Sequence, residues 1–486
     1  MSDGLFPALE ATAAPDRLAI WFPSRSLSYA ALRDAAAQVA RSLAGVSRVA
    51  VLAESRLETC VAVIGALQAG VPIIPINPKS GASELAHIVA DAGPDALLVA
   101  PSSSVVEALQ ACTPVVVDLD AEDGPGAEGA QPAVHAPEDP ALIVYTSGTT
   151  GAPKGAVLPR RAIATNLDAL ADAWDWSERD VVAHALPLFH VHGLVIGILG
   201  PVRRGGCAMH LERFSTDAIE AALAGPATML FGVPTMYRRI ADAAENSPGL
   251  AAALGSARLL VSGSAALASS EHKRLRALTG RGVVERYGMT ETLMSTAIRA
   301  DGEPAPGSVG PPLPGVRLRL VDDDGVAIED SDGETIGEIE IRGPNLFLGY
   351  LNRDDATQAS MRDGWFATGD MATRSANGYI RIVGRRATDL IKSGGYKIGA
   401  GEIEASLRDH PAVEDAAVTG EPDDDLGERV VAWVVLRDRA AAEAQELVDH
   451  VAAELAPHKR PRVVHFLDEL PRNELGKLQK KRLTSD

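Results

Sequence analysis

The chain has 486 residues, more than one hydrophobic core usually carries, so at least two domains are expected. Hydrophobic residues are 46% and charged residues 23%, ordinary for a soluble globular protein. Lys plus Arg is 46 against 65 Asp plus Glu, a net charge of −19, which argues against a surface built for nucleic acid but leaves room for a local cationic pocket.

Cys60, Cys112 and Cys207 have no close spacing, so neither a disulfide frame nor a zinc site is expected, and a reducing cytoplasm fits. Met1-Ser2-Asp3-Gly4 has no basic region or apolar core, so no signal peptide is expected. No apolar run approaches the roughly 20 residues a membrane span needs.

In chain order, Arg17–Phe22 reads as a first strand, and Ser28 can cap a helix carrying Leu32, Val39 and Leu43. Val49–Ala53, Val71–Ile76 and Ala96–Val99 read as strands, with helices over Glu58–Leu67 and Glu84–Ala92 between them. Such alternation predicts an α/β fold with a mostly parallel sheet. Residues 121–140, rich in Gly, Pro and acids, read as a loop.

Ala141-Leu142-Ile143-Val144 is a buried strand leading into Tyr145-Thr146-Ser147-Gly148-Thr149-Thr150-Gly151-Ala152-Pro153-Lys154-Gly155. A helix follows, with Ile163, Leu167, Leu170, Ala171 and Trp174 on one face. Strand, glycine-rich hydroxyl loop and helix together can present N–H and hydroxyl donors to a phosphate. This is not the usual P-loop, because Pro153 precedes Lys154 and Gly155 follows it.

Alternation continues through Thr228–Phe231 and Leu259–Val261. After about residue 310, Val316–Val321, Glu338–Ile341 and Tyr379–Val383 alternate at period two. They predict a small antiparallel β subdomain with one wet face. Beyond Gly384 comes an α+β tail, with a helix from Gly401, a strand Val430–Leu436 and an alanine-rich helix from Ala440.

Five further clusters carry chemistry. They are Glu285-Arg286-Tyr287-Gly288-Met289-Thr290-Glu291, Trp365–Asp370, Gly384-Arg385 through Lys397, Pro187-Leu188-Phe189-His190-Val191-His192-Gly193, and Pro471–Lys477. With the hydroxyl loop, in this order and across about residues 15–480, they resemble the adenylate-forming superfamily. That group comprises acyl-CoA synthetases, peptide-synthetase adenylation domains and luciferases. Gly232-Val233-Pro234-Thr235-Met236-Tyr237-Arg238-Arg239, Arg286 and Lys392–Lys397 narrow the resemblance to malonyl/methylmalonyl-CoA synthetases.

The resemblance implies a large N-terminal domain, 1–384, holding α/β sheets and the small β subdomain. A small mobile α+β lid, 385–486, follows, hinged near 385–389 at Thr388 or Asp389. Thr146, Ser147, Gly148, Thr149, Thr150 and Lys154 wrap the β- and γ-phosphates of ATP. Thr290 contacts the α-phosphate and Glu291 holds Mg²⁺. Tyr287 stacks on adenine beside Ala265 and Ala266, flanked by Glu285 and Gly288. Asp370 and Arg385 bind ribose, Lys397 lies near the nucleotide, and Lys477 reaches the α-phosphate during adenylation. Gly394 and Gly395 line the tunnel for CoA, the second co-substrate.

The resemblance places His190 at the acyl pocket as a gate; His192 reads better as a wall residue. An amino-acid adenylation domain would need a carrier domain after it, and none is expected beyond Asp486. Arg286 and Arg239, on segments bordering the acyl pocket, suit the second carboxylate of a small dicarboxylate, since guanidinium binds carboxylate bidentately. The bland alternatives are an Arg286–Glu285 pair and a solvated face for Arg238 and Arg239. Neither nucleic acid nor membrane is an expected partner. Two other functions stay open: a monocarboxylate or aryl acyl-CoA synthetase, and a nucleotide-binding protein without catalysis.

Overall fold

The computed structural model describes residues 4–11, 14–105, 107–120, 135–146, 152–302, 305–386, 388–438, 440–472 and 478–484, with only the backbone of Lys397. Two large sheets dominate. An eight-stranded sheet runs through Val181–His184, Met229–Gly232, Leu259–Ser262 and Val283–Met289, all parallel. A seven-stranded sheet is centred on Val49–Leu52, Ile73–Ile76 and Pro140–Thr146, also parallel. The helices Leu57–Gln68 and Arg160–Trp174 lie between the two, because one buried cluster joins their apolar faces to Val51 of one sheet and to Phe231 and Val261 of the other. Further helices cover both outer faces, so the large body is a layered α/β/α/β/α stack.

Local expectations hold where the signal is local. Ser28 caps Tyr29–Ser42 by accepting from the Ala31 N–H, and Ala96–Val99 is a strand with those bounds. Two expectations are corrected. The hydroxyl loop does not pass straight into a helix: Lys154–Pro159 is a strand antiparallel to Pro140–Thr146, and the helix starts only at Arg160. The loop is therefore the bend of a hairpin, closed by Thr146 opposite Lys154.

The small antiparallel sheet is present, formed by Arg317–Val321, Gly337–Arg342, Met361–Arg362, Trp365–Arg374 and Ile380–Arg385. Its polar face is not wet, however. Glu338 and Glu340 are buried, under Arg319, Arg362 and Arg386. A carboxylate can leave water there because guanidinium N–H groups replace the lost hydration.

A fourth sheet begins at Leu390 and contains Leu390–Ser393, Tyr396–Gly399, Val413–Asp423, Gly427–Leu436 and Val463–Phe466. With the helices Ala400–Asp409 and Ala444–Glu454 it encloses its own core. Among the described residues, no helix is long and apolar enough to cross a membrane.

Candidate active site

Ser147, Gly148, Thr149, Thr150 and Lys477 lie outside the described residues. The hairpin ends that carry the hydroxyl loop are fixed. Thr146 Oγ1 lies 3.4 Å from the Lys154 carbonyl, and the His87 ring bonds the Pro153 carbonyl through Nε2 at 2.8 Å. Lys154 Nζ stands 4.4 Å over the Tyr350 ring, whose hydroxyl donates to Glu291 Oε1 at 2.8 Å. One aromatic side chain thus couples the phosphate hairpin to the buried Glu291 carboxylate. Thr290, next in the chain, is half-buried.

The strand Val283–Met289 carries the next group. Its register shifts between Tyr287 and Gly288, and a Cβ at Gly288 would sit 1.9 Å from the Leu293 carbonyl oxygen, so only glycine permits that approach. Alternation along the strand sends Glu285 and Arg286 to opposite faces. Glu285 does not pair with Arg286. Its oxygens accept from the Leu267 N–H at 2.9 Å and meet His272 Nε2 at 2.8 Å. Its carboxylate therefore pins the turn holding Ala265 and Ala266, both exposed.

Tyr287 donates to Asp370 Oδ2 at 2.6 Å, and Arg385 Nε meets Asp370 Oδ1 at 2.8 Å. Burial and the adjacent Asp370 hold the Tyr287 hydroxyl well above its usual pKa, so it stays a donor. Tyr287, Asp370 and Arg385 come together from segments far apart in sequence.

Arg286 is 5% exposed, and its Nε and Nη2 are buried without a partner. It lies across Gly263, where a Cβ would come within 2.2 Å of its guanidinium carbon. Burial pushes its pKa down to about 10, which still leaves it charged at neutral pH. An unsolvated cation with unpaired N–H groups is costly unless an anion joins it. Arg239 is not gathered into this pocket. It stands exposed on the helix Pro234–Ala244, with no hydrogen bond or ion pair among the described residues. Its neighbour Arg238, about 100° around the helix, reaches the fourth sheet and bonds the Glu414 carboxylate and carbonyl. His190 is half-buried against Phe189, and burial pushes its pKa down to about 4.

Gly394 and Gly395 form the two-residue turn between Leu390–Ser393 and Tyr396–Gly399, with φ of +57° and +80°. Both values are left-handed, which is the turn type a two-residue hairpin favours and a reason for glycine independent of any tunnel. In this structure the turn is exposed, and nothing among the described residues approaches the Cβ position of Gly395. Lys397 follows in the second strand of that hairpin. At the boundary, Asp389 accepts from the Arg385 N–H at 2.8 Å, and Lys480 bridges Asp389 and Glu404 at 2.6 Å each.

A glycine-rich hairpin, a Tyr287–Asp370–Arg385 cluster and a buried, unpartnered Arg286 lie in one part of the large body, and the class of enzyme follows from the family. The chain belongs to the AMP-binding enzyme family, matching its main domain over residues 8–351 and its C-terminal domain over 402–477. It is 32% identical to a malonate–CoA ligase of Arabidopsis thaliana, over 98% of this chain and 87% of the relative. Among solved structures it resembles a malonyl-CoA ligase ternary product complex with methylmalonyl-CoA and AMP, at 60% identity, 96% and 100% coverage and a TM-score of 0.74. It also resembles ATP-bound MatB from Rhodopseudomonas palustris, at 36% identity, 99% and 98% coverage and a TM-score of 0.89. Sequence reasoning missed Tyr350, Gly263 and His272. They lie in no motif, and only the pairing of distant strands brings them to the site.

Proposed function

We propose that this chain is an ATP-dependent malonyl-CoA synthetase that also accepts methylmalonate. The observation that supports this most is Arg286, a buried guanidinium with two unpaired nitrogens at the acyl side of the site. The relatives named above act on malonate or hold methylmalonyl-CoA, which is the acid this pocket chemistry calls for.

The substrate carboxylate attacks the α-phosphorus of ATP. Its oxygen forms the new P–O bond, pyrophosphate leaves, and an acyl-adenylate results. The thiolate of CoA then attacks the acyl carbon, AMP leaves, and the thioester forms. In this reading Thr146, Lys154 and the loop between them cradle the β- and γ-phosphates, and Thr290 and Lys477 face the α-phosphate. Asp370 and Arg385 hold ribose under Tyr287, and Ala265 and Ala266 border adenine. Fixed cations and hydroxyl donors oppose the charge that grows on the transferring phosphoryl group.

Glu291 suits Mg²⁺, because that ion is commonly held by one or two carboxylates plus the substrate's own phosphates; when bound it would neutralise phosphate charge. Residues 385–486 act as the lid, turning about 385–389, where Arg385 and Asp389 are already clamped together. Gly394 and Gly395 line the CoA tunnel once the lid has turned. Three buried free thiols suit a reducing compartment such as the cytoplasm.

The test is a panel of C2–C6 mono- and dicarboxylates with ATP and CoA, scored by AMP release, for wild type and Arg286→Ala. Malonate and methylmalonate should lead. Arg286→Ala should lower kcat/KM for malonate by about 10²–10³-fold, since a buried carboxylate loses its partner. Equal use of acetate and malonate by wild type refutes the dicarboxylate reading.

A further inference from the structure

We propose that Tyr350 is a positioning residue of the adenylation step: its hydroxyl aims the Glu291 carboxylate and its ring stations the Lys154 ammonium. One side chain then places both groups in advance of ATP. This rests on the phosphate and Mg²⁺ roles proposed above for Lys154 and Glu291.

Sheet pairing brings Tyr350 to the hairpin. Gly349–Tyr350 is a short strand laid antiparallel along Lys154–Pro159, with Tyr350 opposite Ala156. The Leu348 N–H donates to the Val157 carbonyl and the Leu351 N–H to the Gly155 carbonyl, both at 2.8 Å, which fixes that register. Ala156 and Lys154 are alternate residues of one strand and share a face, so Lys154 is the diagonal neighbour of Tyr350. A long side chain reaches an aromatic ring across such a diagonal, and Lys154 Nζ stands 4.4 Å from the ring centroid. The ring itself is held. Its own N–H donates to Thr357 Oγ1 at 2.9 Å, and Phe347 packs against it edge-on at 5.0 Å and 74°.

The hydroxyl end is buried with its partner: Tyr350 is 9% exposed and Glu291 5%. Tyr350 donates to Glu291 Oε1 at 2.8 Å, and among the described residues no other hydrogen bond reaches that carboxylate. Oε2 is left for a cation. It is not among the buried atoms without a partner, so it keeps contact with solvent. The last torsion of a glutamate is soft, and a donor on one oxygen fixes where the other points. Mg²⁺ tolerates little departure from octahedral geometry, so a carboxylate set beforehand binds it better. A phenol does this without a positive charge that would compete with the metal.

The ring acts on the second group. A lysine gives up much rotamer freedom when it is fixed on a phosphate. An ammonium already held beside the hairpin has lost part of that freedom before ATP arrives, which favours binding. The cation–π attraction is modest, so a triphosphate takes the ammonium over and the ring does not trap it.

The test uses Tyr350→Phe, which keeps the ring and loses the hydroxyl, and Tyr350→Leu, which loses both. Calorimetry measures binding of α,β-methylene-ATP, which cannot be adenylated, first in EDTA and then across a Mg²⁺ titration. Tyr350→Phe should bind the analogue in EDTA as wild type does, yet need about 10-fold more Mg²⁺ for the metal-dependent gain. Tyr350→Leu should show the same Mg²⁺ shift and also bind the analogue in EDTA about 3–10-fold more weakly, the worth of one cation–π contact. Thioester formation from supplied acyl-adenylate uses neither group and should hold at the wild-type rate in Tyr350→Phe. An unshifted Mg²⁺ requirement in Tyr350→Phe, equal EDTA binding in the two variants, or equal losses in both half-reactions of Tyr350→Phe would each overturn the proposal. If Glu291→Gln leaves the Mg²⁺ requirement unchanged, the metal reading of Glu291 itself fails, so the two failures are distinguishable.

Discussion

Gly263→Ala should disable malonate use while removing no charge. A Cβ at residue 263 would lie 2.2 Å from Cζ, 2.4 Å from Nε and 2.5 Å from Nη2 of Arg286. Ordinary van der Waals contact begins near 3.4 Å, so the guanidinium must retreat by about 1 Å or more. The backbone at Gly263 is not left-handed, so alanine adds no conformational strain there. The three atoms nearest that Cβ all belong to Arg286. A displacement of that size breaks the alignment of one or both N–H···O bonds to the distal carboxylate, each worth about 1.5–3 kcal/mol when a charge is involved. That corresponds to roughly 10–100-fold per bond in kcat/KM. The assay compares malonate with propionate at saturating ATP and CoA, followed by pyrophosphate release. Propionate never uses the guanidinium and should change far less. If Gly263→Ala depresses both acids equally, or leaves malonate unaffected, Arg286 does not hold the second carboxylate.

Lys477→Ala should cripple adenylation by about 3–4 kcal/mol yet spare thioester formation from supplied acyl-adenylate; equal damage to both would refute its placement. Gly395→Leu would strain a left-handed turn whatever the tunnel does, so Gly395→Asn is the cleaner probe. It should slow CoA-dependent turnover and spare pyrophosphate exchange, and full CoA-dependent activity would remove Gly395 from the tunnel. Arg238→Glu should weaken adenylation by cutting the contact to Glu414, and adding Glu414→Arg should restore part of it; an unaltered exchange rate in the single variant would show that the contact is idle. His210 is fully buried with its pKa pushed down to about 4, mainly by burial. Its Nε2 bonds the Leu186 carbonyl and its Nδ1 accepts from the Glu212 N–H. Protons therefore bind the unfolded chain first, and stability present at pH 7 is lost as pH falls through the 6.5–4 window. About 2 kcal/mol should disappear between pH 7 and 5 on this ring's account, and urea denaturation of His210→Gln should show that much less pH dependence.

What was legible follows from the range of each interaction. Ala96–Val99 and the Ser28 cap depend on neighbours within one turn or one strand, and both were readable. Lys154–Pro159 was not, because its six residues become a strand only by pairing with Val144 and Ile143 across the loop. The period-two pattern of Glu338 and Glu340 correctly gave a strand, but pattern cannot say what covers a face. Arg319, Arg362 and Arg386 do so from three other segments. In the same way, Glu285 and Arg286 are adjacent in sequence yet separated by the sheet. Adjacency suggested a pair, and strand alternation forbids it.

The adjacent arginines on the helix Pro234–Ala244 bear on how the two half-reactions are kept apart. One helical step turns Arg238 toward Glu414 of the fourth sheet while Arg239 stays exposed. Arg238 with Glu414 and the Ser270 N–H with Asp409 join the large body to the C-terminal part of the chain, while Arg472 with Asp415 is a pair internal to that part. The glycine turn at 394–395 stands in the open. In the proposed reading, Lys477 and the glycine turn at 394–395 serve different half-reactions. That reading predicts that the Arg238–Glu414 contact opens before the turn reaches the acyl-adenylate. The first step needs a cation at the α-phosphate and the second needs a passage for the thiol, so a lid that offers one at a time lets a single nucleotide site serve both.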